Sequence, residues 1–372
     1  MKKLFLLSLS LLFLPQLVLA QADIKQEKVF EARVLEVLEE KKIDRPDESQ
    51  VVQQNLKLRG LSGEFEDREF EYWGVSDLQV LSSNVFKTGD KVLVSVVENS
   101  DGQVEFYVLD YVRRGWLIFL TLVFALLVVL IGRATGLRAL LSLGLSFVVI
   151  MYFIIPRILS GGNAVLTSIV GGFVIMGLIV YLTEGWRRKT HLAVLSIGIS
   201  LIAVVLLSLF FTWVVKLTGL SQDDAIYLSG IAGRAINFRG LLLAGILIGT
   251  LGALDDVIIA QIEAVEKIRE ANPNLSKPQI FKLSFGVGKA HLGAMVNTLF
   301  LAYAGASLPL LLLFSSEQNR YLGFSQVVNS EVVATEVVRT LVGSVGITLA
   351  IPIATWLAVY ALKYESIKTP EH

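Results

Sequence analysis

Residues 116–132 read Trp-Leu-Ile-Phe-Leu-Thr-Leu-Val-Phe-Ala-Leu-Leu-Val-Val-Leu-Ile-Gly, with Arg113 and Arg114 before them and Arg133 after. A helix on the surface of a soluble protein carries a polar face, so charged or amide side chains recur every three or four residues. This stretch has none. As a helix it is roughly 25 Å long, close to the ~30 Å hydrocarbon core of a bilayer. It reads as a membrane span, with Trp116 at its interface.

Working outward toward the C-terminus, comparable runs recur. The expected spans are about 116–132, 138–156, 164–183, 191–215, 240–260, 291–314 and 340–362. The whole chain is 54% hydrophobic and only 18% charged, against roughly 25% charged for a soluble domain. Residues 113–372 therefore read as a polytopic bundle of about seven transmembrane helices, mostly α. Two connections, 216–239 and 315–339, are longer than turns. They read as helices lying in the interface or dipping back into the bundle.

Working outward toward the N-terminus, the pattern changes. Residues 21–112 alternate as strands do: 30–37, 54–61, 65–75, 91–96 and 104–111, with turns at Ser62-Gly63, Thr88-Gly89-Asp90 and Asn99-Ser100-Asp101-Gly102. Five short strands predict a small β-rich domain, OB-like or a small barrel. It holds 20 acids and 11 bases, a charge of 11 − 20 = −9 in a chain whose net charge is +0. No catalytic constellation occurs in it, and a partner-binding role is the expectation. An acidic domain on a basic membrane part argues against nucleic-acid binding.

Residues 1–20 resemble a cleavable export signal: Met1-Lys2-Lys3, an apolar stretch from Leu4 to Leu14, then Val18-Leu19-Ala20. Export places 21–112 outside and the C-terminus of a seven-span chain in the cytoplasm, at the cell membrane. Twelve Lys and Arg, among them Arg187, Arg188, Lys189 and Lys267, flank the ends expected inside, against eight outside. There are no cysteines, which excludes disulfides and thiolate chemistry. Three scattered histidines predict no metal site, and nothing calls for a cofactor.

Charge beneath a membrane surface needs a reason. The fifth span carries Asp255 and Asp256 after a small-residue face of Gly245, Gly249 and Gly252, which invites close helix packing. Adjacent helical residues point about 100 degrees apart, so only one Asp is expected to face the bundle. The sixth span brings His291, Asn297 and Thr298 to a similar depth. Together these five polar residues read as a candidate substrate or ion site in the cytoplasmic half, of the kind ion-coupled transporters use. Glu331, Glu336 and Arg339 are outer-side candidates. Glycine pairs at 171–172 and 286–288, and Pro352, suggest broken helices. No nucleotide-binding motif is present, so transport would be secondary. A non-transport scaffold or sensor is the alternative, and adjacent acids on one helix do not suit an intramembrane hydrolase. The bilayer is the one partner the sequence requires.

Four stretches resemble the YibE/F-like family: Gly136 to Leu141, Gly240 to Val257, Val296 to Pro309, and Glu331 to Gly343 followed by Pro352. The family often has Gly-Arg-Asp-His where this chain has Gly288-Lys289-Ala290-His291, which keeps a cation and loses an acid. The resemblance implies a multi-spanning membrane protein of permease type.

Overall fold

The computed structural model describes residues 28–44, 50–75, 84–98, 104–221, 223–232, 236–315 and 323–361. The expected signal, the Asn99–Gly102 turn and the C-terminal tail lie outside them. The chain divides into two compact units, at Leu127/Val128.

The first unit is a five-stranded antiparallel sheet of order β3-β2-β1-β4-β5. Its strands are β1 (Lys28–Asp44), β2 (Gln50–Gly60), β3 (Glu69–Trp73), β4 (Lys91–Glu98) and β5 (Val104–Tyr111). Alternation sets the faces. Phe30, Ala32 and Val34 of β1 are buried with Leu56, Leu58, Val92 and Val94 of its neighbours. Phe30 pairs with Val94, and Val94 with Val108, so inward positions stay in register. The two edges come together. Phe70 of β3 stacks on Phe106 of β5 with ring centroids 4.3 Å apart, and Phe65 packs edge-on against Phe106 at 5.3 Å. The sheet thus curls on itself, which hides edge strands that would otherwise invite pairing.

The second unit is helical. Its elements are α1 (Arg114–Val149), a π-helical turn (Ile150–Ile154), α2 (Ile155–Leu159), α3 (Ala164–Glu184), α4 (Arg188–Val214), α5 (Asp223–Ala232), α6 (Phe238–Ala271), α7 (Lys277–Ala306), α8 (Leu308–Ser315), α9 (Phe324–Asn329) and α10 (Glu331–Ala361). α1 begins at the end of the first unit. Pro156 has no N–H to give the preceding turn, and the widened turn stands just before it.

Among the described residues, five helical segments are long and apolar enough to cross a membrane, or six when the bent pair α7 and α8 (63°) counts as one span. Seven were expected from the sequence. The difference lies in Arg114–Leu159, a 46-residue run that contains both of the first two expected spans. At ~69 Å it is long enough to cross twice. Its helical geometry fails at Arg133, with φ 47 and ψ −127. A Cβ on Gly136 would fall 2.2 Å from the Val128 carbonyl oxygen, whereas a straight helix sets residues eight apart by about 12 Å. The run therefore bends sharply at the place the sequence divides it.

Two further expectations need correction. Gly171-Gly172 and Gly286–Gly288 do not break their helices, because α3 and α7 run through them. The small residues serve packing instead: a Cβ on Gly172 would meet Leu251 at 3.4 Å, and one on Gly288 would meet Ile351 at 2.5 Å. The connection 315–339 is also shorter than expected. α10 begins at Glu331 and carries Glu336 and Arg339 inside its first turns. Both connections do hold a helix, α5 in 216–239 and α9 in 315–339.

α6 is the hub, packed by α3, α4, α7 and α10. Leu247, Leu251, Leu254, Ile258 and Ile262 are buried along it. At one crossing a Cβ on Gly343 of α10 would lie 3.0 Å from Leu299 of α7 and 3.2 Å from Thr250 of α6. At another, buried Gln261 donates from Nε2 to the Ser284 carbonyl (2.7 Å) and the Thr355 hydroxyl (2.8 Å), pinning α6, α7 and α10 together.

Candidate functional site

Residues four apart on a helix share a face. On α10 this aligns Glu331, Thr335 and Arg339, and the first two meet the segment that follows α4. That segment reverses at Lys216 (φ 59) and Gly219 (φ 81). Any Cβ at Gly219 would lie 2.3 Å from the Phe238 carbonyl oxygen, so only glycine fits. The Glu331 carboxylate accepts the Thr218 N–H (2.6 Å), the Gly219 N–H (3.1 Å) and the Thr218 hydroxyl (2.8 Å). One turn on, the Thr335 and Ser221 hydroxyls are 3.3 Å apart.

Next on this face, Arg339 borders a cavity of about 290 Å³, near the lower end of the ~300–1,000 Å³ usual for small-molecule sites. Ser221, Thr335 and Arg339 line one side. Ile150, Ile154 and Ile158, from the π turn and α2, line another, and Leu241 and Ile248 of α6 complete the wall. Arg339 Nη1 lies 3.2 Å from Glu336 Oε1, the two side chains being 20% and 16% exposed. Its guanidinium sits 6.0 Å from the Tyr303 ring centroid. Its Nε is buried without a hydrogen-bond partner among the described residues.

Farther along α6 lies a second charged cluster. Lys189 reaches Glu263, Glu266 (3.1 Å) and Glu184 (3.9 Å), joining α4 to α6 and α3. Beside it the Tyr181 ring stacks on Trp186 at 4.5 Å, and its hydroxyl meets His191 Nδ1 at 2.7 Å.

The expected inner cluster is only partly assembled. Asp255 is 9% exposed, and its Oδ1 is buried with no hydrogen-bond partner among the described residues. Asp256 is exposed, so the two acids do diverge. His291, Asn297 and Thr298 are exposed, and Thr298 returns its hydroxyl to the Ala294 carbonyl at 2.8 Å. No hydrogen bond or ion pair among the described residues joins them to either Asp. Ile280, Ser284, Gly288 and Leu299 are the buried positions of α7, and Asn297 stands on the side opposite Gly288; His291 and Thr298 lie nearer that stripe but are exposed. The glycine face also differs from expectation. Only Gly249 has a close neighbour, the Tyr303 hydroxyl 2.5 Å from where a Cβ would stand; Gly245 borders the cavity, and neither it nor Gly252 has an atom within 4 Å of that point.

Sequence reasoning missed Ser221, Thr335, Tyr303, Gln261 and the Lys189 cluster. The i, i+4, i+8 spacing of Glu331, Thr335 and Arg339 was the available signal for the cavity side.

The helices define a multi-pass membrane protein with a cavity and a half-buried cation within the bundle. Residues 120–364 match the family described as YibE/F-like protein, and the chain belongs to that family. No curated protein and no solved structure matches the chain.

Proposed function

We propose that this protein is a secondary permease for a small solute, rather than an enzyme, with the cavity beside Arg339 as its binding chamber. The carrying observation is a 290 Å³ cavity among spanning helices with an incompletely paired cation in its wall. Hydrocarbon tolerates such a group only at a cost, and its usual setting is a solute or ion path. Residues 21–112 lie outside the cell in this reading, the C-terminus lies in the cytoplasm, and the cavity faces the outer half. Asp255 is the coupling group, because its Oδ1 is buried without a hydrogen bond.

Proteoliposomes containing a pH-sensitive dye, challenged with a panel of small organic solutes, test this. Solute entry with accompanying proton movement is expected, with the proton signal lost in Asp255→Asn and kept in Asp256→Asn. Equal proton signals in wild type and both variants would remove the coupling role, and no solute entry across the panel would remove the permease reading.

A scaffold or sensor reading has its own observation. Trp73 (66% exposed) and Tyr107 (45% exposed) stand outward on the sheet, and exposed aromatics of this kind anchor protein partners. Crosslinking in intact cells through a photoreactive residue at position 73 should then yield a discrete adduct.

A further inference from the structure

The cavity has two unlike walls, and together they describe what fills it. Ile150, Ile154, Ile158, Leu241 and Ile248 offer only hydrocarbon. Ser221, Thr335 and Arg339 line the same cavity. Apolar surface of this kind favours an aliphatic body, since burial removes such a body from water. The polar side favours an acceptor. Glu336 holds the Nη1 side of the Arg339 guanidinium, while the Nε–H is buried and unused. A guanidinium presents its N–H groups as a planar fork that fits the paired oxygens of a carboxylate or phosphate. The two hydroxyls, 3.3 Å apart, can each turn a proton toward the same oxygens. Size narrows the class further. A cavity of ~150 Å³ holds benzene, so this one has room for on the order of a dozen non-hydrogen atoms.

We propose that this cavity binds a small amphiphilic anion, its carboxylate or phosphate head on the Arg339 guanidinium and the hydroxyls of Ser221 and Thr335, its aliphatic body against the isoleucines. The proposal names the substrate class of the permease and rests on that reading for its biological sense. The same head-and-body chemistry belongs to a water-soluble acid or to an anionic lipid.

The test uses the full-length protein in phosphatidylcholine nanodiscs, titrated calorimetrically with hexanoate, hexyl phosphate, the neutral hexanamide and inorganic phosphate. Hexanoate or hexyl phosphate should bind at least tenfold more tightly than either hexanamide or inorganic phosphate. Ile248→Trp, which fills the cavity without touching Arg339, should abolish binding. Arg339→Gln with Glu336→Gln, which removes the pair without stranding a charge, should weaken the anions tenfold or more and leave hexanamide unchanged. Phosphatidate added to the discs separates the sources: competition with hexanoate supports the site with lipid as an occupant, and absence of competition supports it with a soluble acid. Equal binding of hexanamide, or full anion binding in the double variant, overturns the proposal. Anion binding without flux in proteoliposomes would keep the site and remove the permease reading. Flux of other solutes without anion binding would do the reverse.

Discussion

Two charged clusters lie along α6, beside Leu241–Ile248 and beside Glu263–Glu266, about 22 Å apart along the helix. They solve the problem of a cation among helices differently. Lys189 is surrounded by three carboxylates from two neighbouring helices. Arg339 has one carboxylate, an aromatic face, and an N–H left over at a cavity. An answered charge fastens helices together, whereas a cation short of acceptors beside open space is fitted to receive something. The first cluster has the character of a clamp and the second that of a site.

The largest expected effect tests the site. Arg339→Ala removes the cation paired with the Glu336 carboxylate, 16% exposed, and, the pair being largely buried, should cost up to roughly 3–5 kcal/mol, read as a lowered unfolding midpoint in detergent. Replacing both residues by leucine should restore most of it. If the single variant is as stable as wild type, the pair is not buried in the sense the contrast requires. Next is the clamp. Lys189→Met leaves Glu184, Glu263 and Glu266 facing one another. These acids are 28–37% exposed, so solvent screens them and the loss should fall between the ~1 kcal/mol of an exposed pair and the ~3 kcal/mol of a buried one. It should grow smaller in high salt; a loss indifferent to salt would mean the lysine acts by packing alone.

Third, Glu331→Gln weakens charge-assisted bonds to Thr218 and Gly219 and should cost about 1–2 kcal/mol. Hydrogen exchange at those two amides should quicken, with α6 unaffected. The smallest effect belongs to a solvent-exposed cluster that supplies the baseline. On the sheet, Glu69 meets Arg59 at 2.6 Å and Lys57 at 3.0 Å. Hydrogen bonds from Arg59 and then Lys57 hold its carboxyl below the usual range. A depressed acid stabilises the fold above its unfolded value of roughly 4.3, and that contribution fades as pH falls through the lower folded value. Glu69→Gln should therefore lower stability at pH 7, only slightly because the pair is exposed, and the difference from wild type should vanish well below about pH 4. A large loss at neutral pH would show that exposed pairs in this protein are not weak.

The sheet was legible because its strands alternate and glycine marks the turns at 62–63 and 88–90. Strand order was not, since the meeting of Phe70 and Phe106 depends on contacts distant in sequence. The spans were legible from apolar runs, and Arg133, the charge that ends the first run, marked the join within Arg114–Leu159. Asp255 and Asp256 were separable by the 100-degree rule. The facing of His291 and Asn297 was not, because α7 is apolar nearly all round and gives no sign of which stripe is buried. The cavity needed five separate elements, none of which marks itself as a wall.

The π turn at Ile150–Ile154 gives that wall an unusual dependence on residue count. A widened turn accommodates one residue more than an α-helix does. Deleting one residue from the widened turn would return it to ordinary α geometry and leave the later side chains facing as before, whereas deleting one from the regular helix ahead of it would swing every later side chain by about 100 degrees. In the second case Ile155 and Ile158 would rotate off the cavity, although no side chain there had been altered. The chamber's shape is thus encoded partly as a residue count, and the π turn is the one place where that count can drop without turning the wall.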